Sequence, residues 1–154
     1  MLDNPQLTQT VEQLTAVIRL TVPVSEISHV MGPAIAEIMA AIANQGVDII
    51  GPCFSYHYKR PSEIFDFEVG FPISRAITSI GRVKNSNLPV VKVARTIYHG
   101  GYDGLAKAWG EFCAWIETKS LNPQESLWEC YLVGPESGPD ASKWQTELNR
   151  PLND

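Results

Sequence analysis

Phe65-Asp66-Phe67-Glu68-Val69-Gly70-Phe71-Pro72-Ile73 and Trp144-Gln145-Thr146-Glu147-Leu148-Asn149-Arg150-Pro151-Leu152 are the two stretches that decide the fold. In the first, Phe65, Phe67, Val69 and Phe71 alternate with Asp66, Glu68, Gly70 and Pro72, the period of two expected of a half-buried strand. Laid on the second stretch, Glu68 meets Glu147 and Pro72 meets Pro151. The coincidence of both residues suggests one unit written twice.

Working outward, the elements before each stretch also correspond. Residues 14–22 and 90–98 are rich in β-branched residues and read as strands. Gly32-Pro33 predicts a helix entry with Pro at the first helical position. Ile35, Ile38, Met39 and Ile42 follow at helical spacing, and Gly46 closes the helix. Leu105, Trp109, Phe112 and Ile116 form the matching stripe in the second half. Residues 54–58 and 127–133 are a further strand in each half, with Phe54, Tyr56 and Tyr58 laid opposite Leu127, Glu129 and Tyr131. The chain therefore reads as a duplicated β-α-β-β repeat within one domain spanning 1–154. Repeat one covers about 12–75, a polar connector about 76–89, and repeat two about 90–152. Neither unit can easily bury its sheet face alone, so the two pack as one α+β domain, an antiparallel sheet with helices on one face.

Composition narrows the function classes. The 154 residues are 44% hydrophobic and 19% charged, with twelve Lys and Arg against seventeen Asp and Glu, a net charge of −5. A disordered chain would carry fewer apolar residues. Direct nucleic-acid binding calls for a basic footprint, which is missing here. Cys53, Cys113 and Cys130 are odd in number and widely spaced, and read as small buried residues of a reducing cytoplasm rather than as a disulfide or metal site. The start of the chain lacks the basic and apolar pattern of a signal peptide. The longest apolar stretch, 30–43, is interrupted by Gly32, Pro33 and Glu37 and reads as too short to span a bilayer. The expectation is a cytoplasmic protein with no membrane contact, no cofactor and no metal.

Strand alternation places the side chains. Phe65, Phe67, Val69 and Phe71 are expected on the helix side, with Trp144, Thr146 and Leu148. Trp128, Cys130 and Leu132 suit the same side. Glu68, Glu147, Glu129 and Tyr131 then point the other way, alongside Phe54 and Tyr56. An ordinary solvated face accounts for such carboxylates without any purpose. The functional alternative is an aromatic-walled cleft at the seam between the halves, suited to a flat lipophilic cation through cation–π and Coulomb attraction. Glu129 is the most suggestive member, because a charge between Trp128 and Tyr131 in an apolar strand is costly unless it is used. Its desolvation suits a cation receptor or a general base.

His99-Gly100-Gly101-Tyr102-Asp103-Gly104-Leu105, Trp109, Trp115-Ile116, Trp128-Glu129-Cys130-Tyr131-Leu132, Gly134-Pro135, Thr146-Glu147-Leu148 and Pro151-Leu152, in that order, resemble the GyrI-like small-molecule-binding domains. The same domain is the effector-binding part of some MerR-type and AraC-type multidrug-responsive activators. Gly51-Pro52-Cys53-Phe54, Tyr56, Phe67-Glu68-Val69 and Pro72 agree in the first half. The resemblance implies two SHS2-like repeats about a pseudo-twofold with a ligand channel at the seam. It also implies that Glu129 pairs with cationic drugs in an aromatic pocket, with Glu147 a second acidic contact. Gly101 stands where the family often has Pro, which should loosen that turn without removing Tyr102. No helix-turn-helix fits before Leu14, so a regulatory role is expected to be that of a free receptor or to pass through a partner.

Three functions are separable. The first is capture of lipophilic, cationic or planar aromatic small molecules by Glu129, Glu147, Glu68, Phe54, Tyr56, Tyr102, Trp109 and Tyr131. The second, implied by the resemblance of some relatives to hydrolases, is opening of the cyclopropane of DNA-alkylating pyrroloindole drugs. There Glu129 activates or orients water, and Tyr131 or Tyr56 steadies the ring system. The third is a protein-interaction role, with gyrase or a regulator as partner. Other features read as structural: His29, His57 and His99 lack ligand spacing, and Ser25, Ser55 and Ser79 lack a nucleophile turn. Gly100-Gly101 reads as a turn rather than an anion cradle, and Trp109 and Phe112 as core, with Trp109 also placed to close one end of the pocket. Glu136 and Asp140 lie in a Gly/Pro-rich loop that could shape a lid.

Overall fold

The computed structural model describes residues 1–154. Its strands are β1 (Gln6–Gln9), β2 (Gln13–Pro23), β3 (Phe54–His57), β4 (Ile64–Pro72), β5 (Lys84–Leu88), β6 (Lys92–His99), β7 (Leu127–Val133) and β8 (Gln145–Pro151). The helices are α1 (Ile27–Asn44) and α2 (Leu105–Thr118). All eight strands form one sheet in the order β1-β6-β8-β7-β3-β4-β2-β5, every pairing antiparallel.

That order reads the same from either end once the halves are exchanged, so a pseudo-twofold axis passes between β3 and β7. The expected α+β duplication is the observed fold. Two strands lie outside the repeats read from the sequence. β5 lies inside the polar connector and pairs with β2, while β1 pairs with β6. The N-terminal strand thus fills in the second repeat the place that β5 fills in the first. Neither has an apolar face to reveal it: β5 is Lys-Asn-Ser-Asn-Leu, an edge strand held by backbone bonding.

Each helix packs on its own repeat. Ala34, Ile38, Ala41 and Ile42 of α1 meet Ala16, Ile18 and Leu20 of β2 and Phe67, Val69 and Phe71 of β4. Ala108, Trp109, Phe112 and Ile116 of α2 meet Ala94, Tyr98, Leu127 and Leu148. Helix α1 begins six residues before Pro33, so that proline sits inside it rather than at its entry. The residue has no N–H to offer the His29 carbonyl; His29 is exposed, where water can serve that group. With its 3-10 lead-in, the segment Val24–Asn44 is long and apolar enough, by length and composition alone, to cross a bilayer. The interruptions at Gly32, Pro33 and Glu37 are therefore less disqualifying than the sequence suggested. A second apolar stripe on the helix, Ile27, Met31, Ile35 and Met39, explains the excess, because it faces a cavity.

Candidate functional site

A cavity of about 1130 Å³ lies between the two helices above the central strands. That volume lies just above the usual range of small-molecule sites, about 300–1,000 Å³. Met31 and Ile35 of α1 form one wall, and Leu105 and Trp109 of α2 the other. The floor comes from the two strands that meet at the pseudo-twofold: Ser55 and His57 of β3, and Leu127, Glu129 and Tyr131 of β7. A register shift between Tyr131 and Val133 also brings Leu132 into the wall.

Glu129 is buried, with 9% of its surface exposed. The Trp109 indole N–H donates to its Oε2 at 2.6 Å, and the Tyr131 hydroxyl to its Oε1 at 2.8 Å. Tyr131 Oη also lies 2.8 Å from Ser55 Oγ, which can donate back to it. Burial raises the Glu129 pKa above the usual carboxylate value, while its two donors hold it down. Tyr131 is itself pushed well above an ordinary phenol, chiefly by burial and then by the Glu129 charge. No Lys or Arg pairs with Glu129. The only Lys or Arg in the cavity wall, Arg60, is exposed and forms no ion pair.

The aromatic wall is built by a turn. Tyr98 donates to the Gly101 carbonyl at 3.0 Å, and its ring fills the space that a Cβ at Gly100 or Gly104 would need. Glycine at positions 100 and 104 therefore lets the chain wrap tightly around Tyr98. Tyr102, carried by that turn, lies edge-on to Tyr131 with centroids 5.7 Å apart and leans on Trp144 at 5.2 Å. Across the cavity, His57 stacks on Phe67 at 4.9 Å and meets Phe65 edge-on at 5.6 Å. Burial lowers the His57 pKa to about 4, so the ring is neutral at ordinary pH. Glu136, in the turn after β7, also lines the cavity, whereas Asp140 caps the next turn by accepting from Ser142.

The structure brings together Glu129, Tyr131, Tyr102 and Trp109, four of the residues singled out in the sequence. It does not bring the other four to them. Ser55 pairs with Glu129, whereas Phe54 pairs with Cys130 and Tyr56 with Trp128, which places Phe54 and Tyr56 on the opposite face of the sheet. Glu68 pairs with Tyr56 and Glu147 with Cys130, so both glutamates share that face. There Tyr56 stacks on Trp128, Ser86 Oγ donates to Glu68 at 2.9 Å, and Asn149 donates to Glu147 at 3.0 Å with Arg95 Nε 3.5 Å away. The expected convergence of three carboxylates on one face is thus corrected. Glu129 and Tyr131 point to the helices, Trp128 and Cys130 away from them, and the cavity lies on the helix side. His57, Ser55, Cys53 and the α1 stripe were missed as cavity residues. The legible signal was the stripe: a helix with two apolar faces needs two apolar surroundings.

The fold recurs in solved structures. The C-terminal domain of EcmrR superposes with a TM-score of 0.86 at 20% identity, each chain covering 98% of the other. EcmrR in complex with DNA gives the same TM-score at 24% identity, and the present chain spans 57% of that longer one. A hydrolase from Listeria innocua matches at TM-score 0.73 and 13% identity over 97% of this chain and 91% of its own. SAV2435 bound to tetraphenylphosphonium matches at 0.71 and 13% identity over 98% and 94%. No curated protein matches the sequence significantly. The sequence model of the GyrI-like small molecule binding domain matches residues 4–152, nearly the whole chain. The chain belongs to the GyrI-like small-molecule-binding domain family.

Proposed function

We propose that the protein captures lipophilic cations in the cavity between α1 and α2, with Glu129 as their counter-charge. One observation carries this: a buried carboxylate without a cationic partner forms the floor of an apolar and aromatic cavity. Leaving such a charge unpaired is costly. A delocalised organic cation, itself cheap to dehydrate, supplies the missing charge while its rings bury against Met31, Ile35, Leu105 and Tyr102. The complex of SAV2435 with tetraphenylphosphonium, on the same fold, supports the class of ligand. Titration calorimetry with tetraphenylphosphonium tests the reading. Binding by the parent and at least tenfold weaker binding by Glu129→Gln is the expected result, and equal affinities would overturn it.

Hydrolysis of cyclopropane-bearing pyrroloindole drugs is a second reading, favoured by the way Trp109 and Tyr131 fix both oxygens of a carboxylate whose pKa burial raises. A carboxylate so held is suited to take a proton from water as the water oxygen bonds to a cyclopropane carbon; the ring C–C bond breaks, its electron pair passes into the conjugated ring system, and the proton is returned there. Turnover by the parent that disappears in Glu129→Gln supports it, and binding without turnover sinks it.

A further inference from the structure

His57 is the one floor residue whose polar atoms the protein leaves unused. Its Nδ1 is buried with no hydrogen-bond partner, and the side chain is only 4% exposed, yet the residue forms part of the cavity surface. Its position is fixed twice over. The register that sets Ser55 opposite Glu129 sets His57 two residues further along the same face, on the diagonal from Glu129, a neighbour at roughly 7–8 Å. The Phe67 and Phe65 rings then hold the imidazole in place. A sealed nitrogen without an acceptor is better tolerated as a bare lone pair than as an orphaned N–H. The neutral ring therefore carries its proton on Nε2 and has a donor to offer.

From this geometry we infer that His57 is a second anchor of the site, and that the ligands it selects are aromatic cations bearing a hydrogen-bond acceptor, such as an ether or carbonyl oxygen, on the ring remote from the charge. Glu129 takes the charge and His57 Nε2–H donates to the acceptor. Cations that are purely hydrocarbon apart from the charged atom engage only the first anchor. The inference rests on capture at the cavity and adds a discrimination that capture alone does not require.

The test uses two matched probes, tetraphenylphosphonium and (4-methoxyphenyl)triphenylphosphonium, which differ by one ether acceptor. The parent should bind the methoxy compound about fivefold to tenfold more tightly, the yield of one neutral hydrogen bond. His57→Phe and His57→Leu should bind the two probes with equal affinity, whatever that affinity is, and His57→Gln, which restores an N–H donor, should recover part of the preference. ¹⁵N resonances of the parent imidazole should report the Nε2–H tautomer and move with the methoxy probe only. Equal binding of the two probes by the parent, or a preference that survives in whichever of the Phe and Leu variants folds, would overturn the role of His57 and leave cation capture standing. If the parent binds neither probe, capture itself fails and this inference with it.

Discussion

Ser55 and Glu129 face each other across the central strand pair and occupy equivalent positions in the two repeats. With Glu68 laid on Glu147, the β3–β4 and β7–β8 registers make Ser55 the counterpart of Glu129 and His57 the counterpart of Tyr131. The pseudo-twofold axis therefore passes between Ser55 and Glu129, and the symmetry is broken where the chemistry is. One side of the axis offers a carboxylate and a phenol, the other a hydroxyl and an imidazole. A single acidic group on the axis suits a single positive charge.

Replacing Glu129 by Gln should separate affinity from stability. The Coulomb attraction to a bound cation is lost, and tetraphenylphosphonium affinity should fall tenfold to a hundredfold. Folding stability should stay within about 1 kcal/mol of the parent or rise, because a buried charge without a counter-ion is removed. Calorimetry and urea unfolding read the two quantities, and a parallel loss of both would show that Glu129 serves the fold instead.

The two glutamates on the far face are the controls. Glu68 is engaged by Ser86, and Glu147 by Asn149 and Arg95, with the sheet between them and the cavity. Glu68→Gln and Glu147→Gln should leave tetraphenylphosphonium affinity within about twofold. A tenfold loss in either would return those residues to the binding site.

The sequence made the duplication legible because β4 and β8 carry Glu and Pro at matching places. It misled at β3 and β7 by one residue. Phe54 was laid on Leu127, whereas the ladder lays it on Trp128. A one-residue slip exchanges the two faces of a strand, which is how Glu129 came to be assigned to the side without helices. Hydrophobic alternation could not correct the slip, because both faces of these strands are covered. Trp128 is 2% exposed and Phe54 1%, although neither points to a helix. Leu127-Glu129-Tyr131 is no more apolar than Trp128-Cys130-Leu132, so the pattern itself favoured the wrong face. The acidic residue inside an apolar strand was the reliable sign, and it identified Glu129 whichever way the strand was turned.

Tyr131→Phe should weaken Glu129 as an anion without removing it. The Trp109 donor remains, the Tyr131 donor is lost, and the Glu129 pKa rises further because that hydrogen bond had been lowering it. Cation affinity at neutral pH should drop severalfold, and the pH at which binding fails should move upward. Unchanged affinity and an unchanged pH midpoint would show that Trp109 alone sets the charge state.

Gly70 is where the fold is least forgiving. A Cβ there would run into the Ala16 carbonyl oxygen and lie 2.7 Å from Val17 Cγ1, on the strand next to β4. Backbone cannot step aside as a side-chain end can, so Gly70→Ala should lower stability by about 1–3 kcal/mol. Thermal unfolding of the variant measures it. A melting temperature within a degree of the parent would mean that β2 and β4 slide apart more easily than their ladder suggests.

Acid should act on the free protein and on its complex in different ways, through two buried groups of opposite sign. His57 has its pKa lowered from 6.5 to about 4, so its contribution to stability is present above pH 6.5 and is lost as the pH falls toward 4. At the extreme this is worth about 3 kcal/mol. Glu129 has its pKa raised above 4.5, so its protonated form favours the fold; that contribution is full below pH 4.5 and is lost as pH rises through the raised value. Urea unfolding across pH 4–8 should therefore show a shallower acid loss in His57→Phe. Glu129→Gln should exceed the parent most at neutral pH and least near pH 4.5. Ligand binding runs against the second effect: a cation needs the ionised carboxylate, so affinity should rise with pH through the Glu129 transition, and binding below it should release a proton. Calorimetry in two buffers of different ionisation enthalpy detects that proton directly. An affinity flat from pH 4.5 to 8, with no proton released, would place the cation elsewhere than at Glu129.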